Sequence, residues 1–171
     1  MPLKIGGREV SGANTGLIVI PRDSGDIVFK FVAILDDSDY TRVNPEPQPP
    51  REFITKEQKT IEKVNDPAYK ARLEKWRGDK WDWMFLKSVE PSKIEWETVD
   101  LDNPATWGGW KQELRNAGLS VGEIGQVESV FFATNIVTDA KLKEAKNRFL
   151  ASQAQEALET SSSTATESPS T

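Results

Sequence analysis

The sequence predicts an α+β protein, with a small antiparallel β-sheet at the N-terminus and a helical bundle of about four helices in the C-terminal half. Two observations lead to this fold class. Short runs of β-branched and aromatic residues flank a turn within the first 35 residues. Beyond residue 66, helix caps and prolines alternate with apolar residues at helical spacing. The predicted organisation is a β module (1–40), a proline-rich linker (41–65), a helical module (66–159) and a disordered tail (160–171).

The β module is expected to contain one hairpin. Apolar runs from Gly16 to Ile20 and from Asp26 to Leu35 flank the turn-forming sequence Pro21 to Gly25. Because side chains alternate along a strand, Phe29 and Phe31 share one face. The opposite face carries Val28, Lys30, Val32 and Ile34. Both faces are largely apolar, so each needs cover from the helices, from a second copy of the chain or from a partner.

The linker, residues 41–65, is expected to be extended and irregular. Four prolines fall within the six residues from Pro45 to Pro50. Each proline removes a backbone donor and restricts the residue before it. The charged sequence from Arg51 to Asn65 follows with only weak patterning.

The first helix of the helical module is predicted to begin at Asp66-Pro67, a cap followed by proline at the first helical position, and to end before Pro91. Trp76 and Trp83 lie on its apolar stripe, and Trp81 lies beside that stripe. The stripe as a whole comprises Tyr69, Leu73, Trp76, Lys80, Trp83 and Lys87, and is widened by Trp81, Met84 and Phe85.

The sequence "DNPATWGGWKQELRNAGLS" repeats the cap-then-proline signal at Asn103-Pro104 and places a terminating glycine at Gly118. Trp107 and Trp110 fall on one face of this predicted helix, which favours a core role over a ligand loop. Ser120 and Glu123 have the spacing of a capping box. The next helix, from about Val121 to Val137, has the stripe Ile124, Val127, Phe131 and Thr134, and a last helix starts near Asp139.

The composition excludes several classes of function. The net charge of −5 and pI near 5.0 disfavour nucleic acid as a partner, since phosphate binding needs a cationic surface. The chain has no cysteine and no histidine, which removes the usual nucleophile–base pairs and metal ligands. No apolar run is long enough for a membrane span or a signal peptide. We therefore expect a soluble, non-enzymatic protein with no metal, no cofactor and no membrane contact.

Two motifs invite other interpretations. The acidic sequence from Asp36 to Asp39 suggests calcium, but an EF-hand loop counted from Asp37 would place Arg42 where glycine is needed and Gln48 where glutamate is needed. Paired carboxylates and six tryptophans could instead serve a carbohydrate groove. Most of those tryptophans lie on helical stripes, which favours core or interface positions.

The helical half resembles the tail assembly chaperones of long-tailed bacteriophages. The resemblance spans roughly Val43 to Ala151 and leaves out the N-terminal hairpin. The segments that carry it are "NPEPQPP", "NDPAYKARLEKW", "WMFLKSVEP", "IEWETVDLDNPATWGGWKQELRNAGLSVGEI" and "ATNIVTDAKLKEAKNRFLA", in this order.

The resemblance implies a function without catalysis. Such chaperones coat the tape measure protein, keep it soluble, help to recruit tail tube subunits and leave before the tail is complete. The expected location is the host cytoplasm and not the mature virion, and a frameshifted longer product is known in many such phages. A structural component of the tail or connector is the first alternative, and a carbohydrate-binding protein is the second.

The partner-binding surface is expected to combine the hairpin with the tryptophan-rich helix. Its candidate residues are Phe29, Phe31, Trp76, Trp81 and Trp83. A contiguous apolar patch of this kind would serve self-association or binding of a client protein.

Overall fold

Residues 3–10 and 12–163 of the chain are described by the structure, a computed structural model, with side chains as far as Glu159. The predicted α+β class is confirmed. The chain divides into two compact units, Met1–Asn135 and Ile136–Thr171. The hairpin, the segment 41–65 and the first helices therefore share one unit, whereas the sequence analysis had assigned them to separate modules.

The strands pair as three antiparallel hairpins within the described residues. The first is small and turns at Gly6 and Gly7, whose positive φ angles of 57° and 79° suit glycine. The strands are β1 (Lys4–Ile5) with β2 (Arg8–Glu9), β3 (Thr15–Ile20) with β4 (Ile27–Val32), and β5 (Arg51–Ile54) with β6 (Lys59–Glu62).

The helices of the described residues are α1 (Ser38–Val43), α2 (Pro67–Ser88), α3 (Trp110–Asn116), α4 (Val121–Asn135) and α5 (Asp139–Ser163). Two 3-10 turns, Glu90–Ser92 and Pro104–Gly109, precede α3. The predicted helix start at Asn103-Pro104 is therefore correct, but its first turns are 3-10, and the α-helix begins only at Trp110.

The capping signals in the sequence form the expected contacts. The Asp66 carboxylate accepts a hydrogen bond from the Tyr69 N–H at 2.8 Å. Ser120 and Glu123 bond reciprocally, with the Ser120 N–H 2.8 Å from the Glu123 carboxylate and the Glu123 N–H 3.2 Å from the Ser120 hydroxyl. Gly118 has a φ of 93° at the end of α3, in the left-handed conformation that its position requires.

The β3–β4 hairpin packs one face against α2 and α4. Phe31 lies in this interface, with its ring centroid 5.9 Å from that of Phe85 and 6.3 Å from that of Phe131. Gly16 lets α4 approach closely, because a Cβ there would lie 2.1 Å from the Thr134 hydroxyl oxygen. The hairpin is therefore an integral part of the core of the first unit.

A second part of the core forms around Tyr40 on α1. The Tyr40 ring contacts those of Trp76, Trp83 and Trp107 at centroid distances of 5.2, 5.6 and 5.7 Å. Its hydroxyl donates to the Trp76 carbonyl, while the Trp76 indole N–H donates to the Asn44 carbonyl at 2.7 Å. Helix α1 was not predicted from the sequence, because six residues are too few to show a helical period.

The segment 41–65 is also more ordered than its prolines suggest. After the proline run, β5 and β6 form an exposed hairpin whose turn includes Gln58 in a left-handed conformation (φ 47°). Its cross-strand ion pairs, Arg51–Glu62 at 3.0 Å and Lys63–Glu52 at 2.6 Å, join charged residues that had appeared unpatterned. The expectation of an irregular linker therefore fails for these strands.

Helix α5 is the regular element of the second unit and has 25 residues. Its large apolar side chains are exposed rather than buried: Leu142, Phe149, Leu150 and Leu158. The helix continues through Ser163, so the predicted disordered tail is helical over its first residues. The remainder of that predicted tail, 164–171, lies outside the described residues.

Candidate functional site

The predicted partner-binding residues separate into two groups. Phe29, Phe31 and Trp83 are only 3%, 2% and 2% exposed, so they belong to the core and not to a contact surface. This corrects the predicted site for these three residues. The physical reason is that the hairpin turns its two phenylalanines toward the gap between α2 and α4, where rings of that size fill the space.

Trp76 is half-buried and has a structural role. Its ring packs on Tyr40, and its indole N–H is bound to the Asn44 carbonyl at the end of α1. The ammonium group of Lys80 lies 5.8 Å from the Trp76 ring centroid and also pairs with Asp37. Trp76 thus attaches α1 to α2.

Trp81 is the predicted residue that remains available at the surface. It is half-buried on α2, and its ring stands edge-on to Phe131 of α4, at a centroid distance of 4.8 Å and an angle of 67°. Phe132 lies beside it at 6.0 Å and is 40% exposed. These rings form one wall of an open depression, which we call the α2–α4 groove; its lining residues are Trp81, Gly125, Glu128, Ser129 and Phe132.

The floor of the α2–α4 groove is made of two small residues, Gly125 and Ser129, and Phe132 of the wall follows them on the same helix. Gly125, Ser129 and Phe132 follow one another at helical spacing along one face of α4. A Cβ added at Gly125 would meet no atom within 4 Å, so the space above this glycine is open. The Ser129 hydroxyl donates to the Gly125 carbonyl at 2.9 Å, which satisfies its polar group inside the helix. The space above Gly125 is therefore open to a partner. The Ser129 hydroxyl proton is already engaged in a hydrogen bond within α4.

One rim of the groove is charged. Glu128 pairs with Lys111 of α3 at 2.5 Å, and the Lys111 ammonium also lies 5.2 Å from the centroid of the Trp110 ring. One turn before Gly125, Val121 is 78% exposed and adds apolar surface to α4. An aromatic centre with a charged rim has the anatomy of a protein-binding surface.

The outer face of the β3–β4 hairpin is a second exposed apolar area. Leu17, Val19 and Val28 are 61%, 49% and 40% exposed there. The pairing places Val19 directly opposite Val28, and Leu17 opposite Lys30. Of the two alternatives left open by the sequence, the exposed face is thus the one with Val28, and the buried face is the one with the phenylalanines.

Several titratable groups with shifted pKa values hold elements of the fold together. Arg22 donates two hydrogen bonds to Glu123, which together with the Ser120 N–H lower the pKa of that carboxyl to about 2. Burial opposes ionisation of Glu113, but hydrogen bonds from the Thr98 hydroxyl and from backbone N–H groups outweigh it and lower its pKa. Burial raises the pKa of Tyr40 to about 12. Each of these groups has a structural partner.

Trp107 and Trp110 are core residues and do not line a carbohydrate groove. Trp107 and Trp110 are fully buried, and Phe85 stacks on Trp110 at 3.7 Å. The Trp107 indole N–H donates to the carbonyls of Asp100 and Leu101, and that of Trp110 donates to Asp82. Their core role, which the helical spacing predicted, is confirmed, and these rings are not available for stacking on a sugar.

Sequence reasoning missed the residues of α4 that complete the groove. The stripe predicted from the sequence passes through Phe131 and gives Phe132 no role. Gly125 was not singled out either. A signal was present, since Gly122 and Gly125 inside one helix each weaken it by about 1 kcal/mol relative to alanine. Exposed helical glycines beside an off-stripe phenylalanine could have indicated a contact surface.

Among residues 3–10 and 12–163, no group of three or more acidic side chains is placed to hold a metal ion. Within the same residues, no helix combines the length and the apolar content needed to cross a bilayer.

Comparison with known proteins identifies no relative. No family model matches the chain, and neither a curated protein nor a solved structure does.

Proposed function

We propose that this chain is a non-enzymatic tail assembly chaperone of a long-tailed phage. In this proposal it binds the tape measure protein, keeps it soluble and helps to recruit tail tube subunits in the host cytoplasm, and it is absent from the mature virion. The resemblance from Val43 to Ala151 supplies the identity of the client. The observation that carries the proposal is the α2–α4 groove, an open aromatic surface on an otherwise highly charged chain.

The groove suits an apolar segment of a client protein. Trp81 and Phe132 offer aromatic surface, and the open space above Gly125 can admit an incoming side chain. A helix laid in a groove presents apolar residues at every third or fourth position, which is a common mode of peptide recognition. The pair Glu128–Lys111 on the rim can exclude water from this contact without adding much affinity of its own.

Two other properties support a chaperone over a permanent assembly component. The groove is small, so each copy of the chain would bind weakly and could be released as the tail matures. The net charge of −5 would keep a coated client soluble through repulsion between coated segments. The exposed apolar side chains of α5 could provide additional contact area for the same client.

Co-expression with the other tail genes tests the proposal. The tagged chain is expected to retain the tape measure protein on pull-down and to increase the fraction of that protein in the supernatant. Mass spectrometry of purified particles should detect the tail tube protein but not this chain.

The alternatives predict different results. Particles that contain stoichiometric amounts of the chain would contradict the chaperone and identify a structural tail or connector component. Quenching of tryptophan fluorescence by glycans, without retention of any tail protein, would identify a carbohydrate-binding protein.

A further inference from the structure

Trp96 differs from the other five tryptophans of the chain in its surroundings. Each of the other five lies in contact with an aromatic ring, whereas Trp96 contacts none among the described residues. No described group accepts a hydrogen bond from its indole N–H, and no buried side-chain nitrogen of the described chain lacks a partner, so this N–H reaches solvent. The half-buried Trp96 therefore offers a partner both ring surface and a hydrogen-bond donor.

Two cavities share Trp96 in their walls. The first has a volume of about 190 Å³ and lies between the segment of Trp96 and α3, with a lining that includes Glu95, Glu97, Glu113 and Leu114. The second, of about 130 Å³, is lined by Glu90 and Lys93 and by the apolar residues Leu86, Val89, Ile94 and Leu101. Sites for drug-sized ligands have volumes of about 300–1,000 Å³, so each of these cavities suits one side chain of a partner better than a free small molecule.

The wall that carries Trp96 is held in place by Glu113 of α3. The Glu113 carboxylate accepts hydrogen bonds from the N–H groups of Glu97, Thr98 and Val99 at 2.8, 2.7 and 3.0 Å. It also accepts one from the Thr98 hydroxyl at 2.5 Å. The segment therefore has a defined shape although it is neither helix nor strand. A preformed site of this kind loses less conformational entropy on binding than a mobile loop does.

The first cavity carries negative charge that nothing in the described chain neutralises. The side-chain carboxylates of Glu95 and Glu97 line it and form no hydrogen bond or ion pair with a described residue. The segment from Glu90 to Asp102 contains five acidic residues and one lysine, a net charge of −4 in a chain whose total is −5. Free carboxylates that line one cavity with an accessible indole ring favour a cationic occupant, since both attract positive charge.

We propose that the two cavities at Trp96 form a docking site for a basic segment of a partner protein, with an arginine in the first cavity and a neighbouring apolar side chain in the second. The guanidinium group pairs with Glu95 and Glu97 and packs on the indole ring; arginine suits both contacts better than lysine because its charged group is planar. The indole N–H donates to a backbone carbonyl of the segment. The site shares no lining residue with the α2–α4 groove and does not rest on the chaperone function.

Peptide titration of the full chain, followed by the indole N–H signals in NMR spectra, tests the proposal. The probe is the capped peptide Gly-Leu-Arg-Leu-Gly, and its control has citrulline in place of arginine, which keeps the shape and removes the charge. The arginine peptide should shift the Trp96 signal, which Trp96→Phe identifies, with a dissociation constant of about 1 mM or lower. The citrulline peptide should bind at least about fivefold more weakly.

Two double variants with the same change in charge test the role of the carboxylates. Glu95→Gln with Glu97→Gln should weaken binding of the arginine peptide at least about fivefold. Glu57→Gln with Asp102→Asn removes two exposed carboxylates outside both cavity linings and should change binding less than about twofold. Equal effects of the two double variants, equal binding of the two peptides to the unmodified chain, or a Trp96 signal that does not move would each overturn the proposal.

Discussion

Trp81 and Trp83 are two positions apart on α2 and have different roles in the structure. Trp83 is 2% exposed and packs on Tyr40 at 5.6 Å. Trp81 is half-buried and contributes a ring to the α2–α4 groove. Sequence periodicity predicted this difference, since it placed Trp83 on the stripe and Trp81 beside it.

The first prediction compares Trp81→Ala with Trp83→Ala. Trp83→Ala removes a core ring and should lower the free energy of unfolding by about 3–5 kcal/mol. Trp81→Ala should cost about 1–2 kcal/mol of stability and weaken client binding by more than about 1 kcal/mol. Urea unfolding and client titration measure both quantities. Equal destabilisation by the two variants, with client binding intact in Trp81→Ala, would show that Trp81 is a core residue.

The second prediction concerns Glu123, whose pKa falls from the ordinary 4.5 to about 2 because of Arg22 and Ser120. A lowered pKa in the folded state means that this carboxylate stabilises the fold above pH 4.5, and that the stabilisation is lost as pH falls toward 2. Carboxyl-detected NMR should find Glu123 still ionised at pH 3.5, about one unit below the ordinary pKa of a glutamate. In Glu123→Gln the free energy of unfolding should fall less between pH 4.5 and pH 2 than it does in the unmodified chain. A titration midpoint near 4.5 would contradict the proposed contacts.

At the scale of the element, the long helices were predictable and the short elements were not. The buried residues of α4 are Ile124, Val127, Phe131 and Thr134, which is the predicted stripe. Its capping box and the terminating glycine before it also form as expected. By contrast, α1 buries only Tyr40, and β5–β6 is stabilised by cross-strand pairing of charged residues. Neither leaves a periodic signal of apolar residues, because α1 is held by aromatic contacts distant in sequence and β5–β6 by pairs of charged side chains.

The third prediction tests the close approach of α4 to β3. A Cβ at Gly16 would lie 2.1 Å from the Thr134 hydroxyl oxygen and 3.0 Å from Val130 Cγ1. Gly16→Ala should therefore force α4 away from the hairpin and lower the free energy of unfolding by about 1–3 kcal/mol.

Gly122→Ala is the control for this change. No atom lies within 4 Å of a Cβ added at Gly122, which is exposed on α4. This variant should be neutral or more stable by up to about 1 kcal/mol. Chemical denaturation of both variants decides the matter, and a neutral Gly16→Ala would mean that α4 packs elsewhere.

At the scale of the whole molecule, the core lies entirely within the first unit. Every buried apolar residue of the described chain falls between Ile20 and Phe131. This unit includes the predicted β module, the linker and the first helices of the helical module. Patterns along the chain do not report which elements share a core. The position of the groove also depends on this packing, since Trp81 and Phe132 come from helices far apart in sequence.

The fourth prediction is that the first unit folds without the second. A chain that ends after Thr138 keeps Asn135, which accepts a hydrogen bond from the Ile34 N–H at 2.9 Å and donates to the Ser88 hydroxyl at 3.0 Å. It should unfold cooperatively, with a free energy of unfolding within about 1 kcal/mol of that of the full chain. A chain that ends at Glu159 should be unchanged within about 0.5 kcal/mol. A larger loss in the first truncation would show that residues after 138 contribute to the core.

The most direct test of the client-binding groove uses the two glycines of α4. Gly125→Gln fills the open space in the floor of the groove, whereas Gly122→Gln adds the same side chain outside the groove lining. Neither variant should lose stability, because glutamine favours a helix over glycine by up to about 1 kcal/mol. The amount of tape measure protein that co-purifies with each variant after co-expression is the measurement. We expect a loss of at least about tenfold for Gly125→Gln and no change for Gly122→Gln. Equal retention by both variants would contradict the assignment of the α2–α4 groove as the client-binding site.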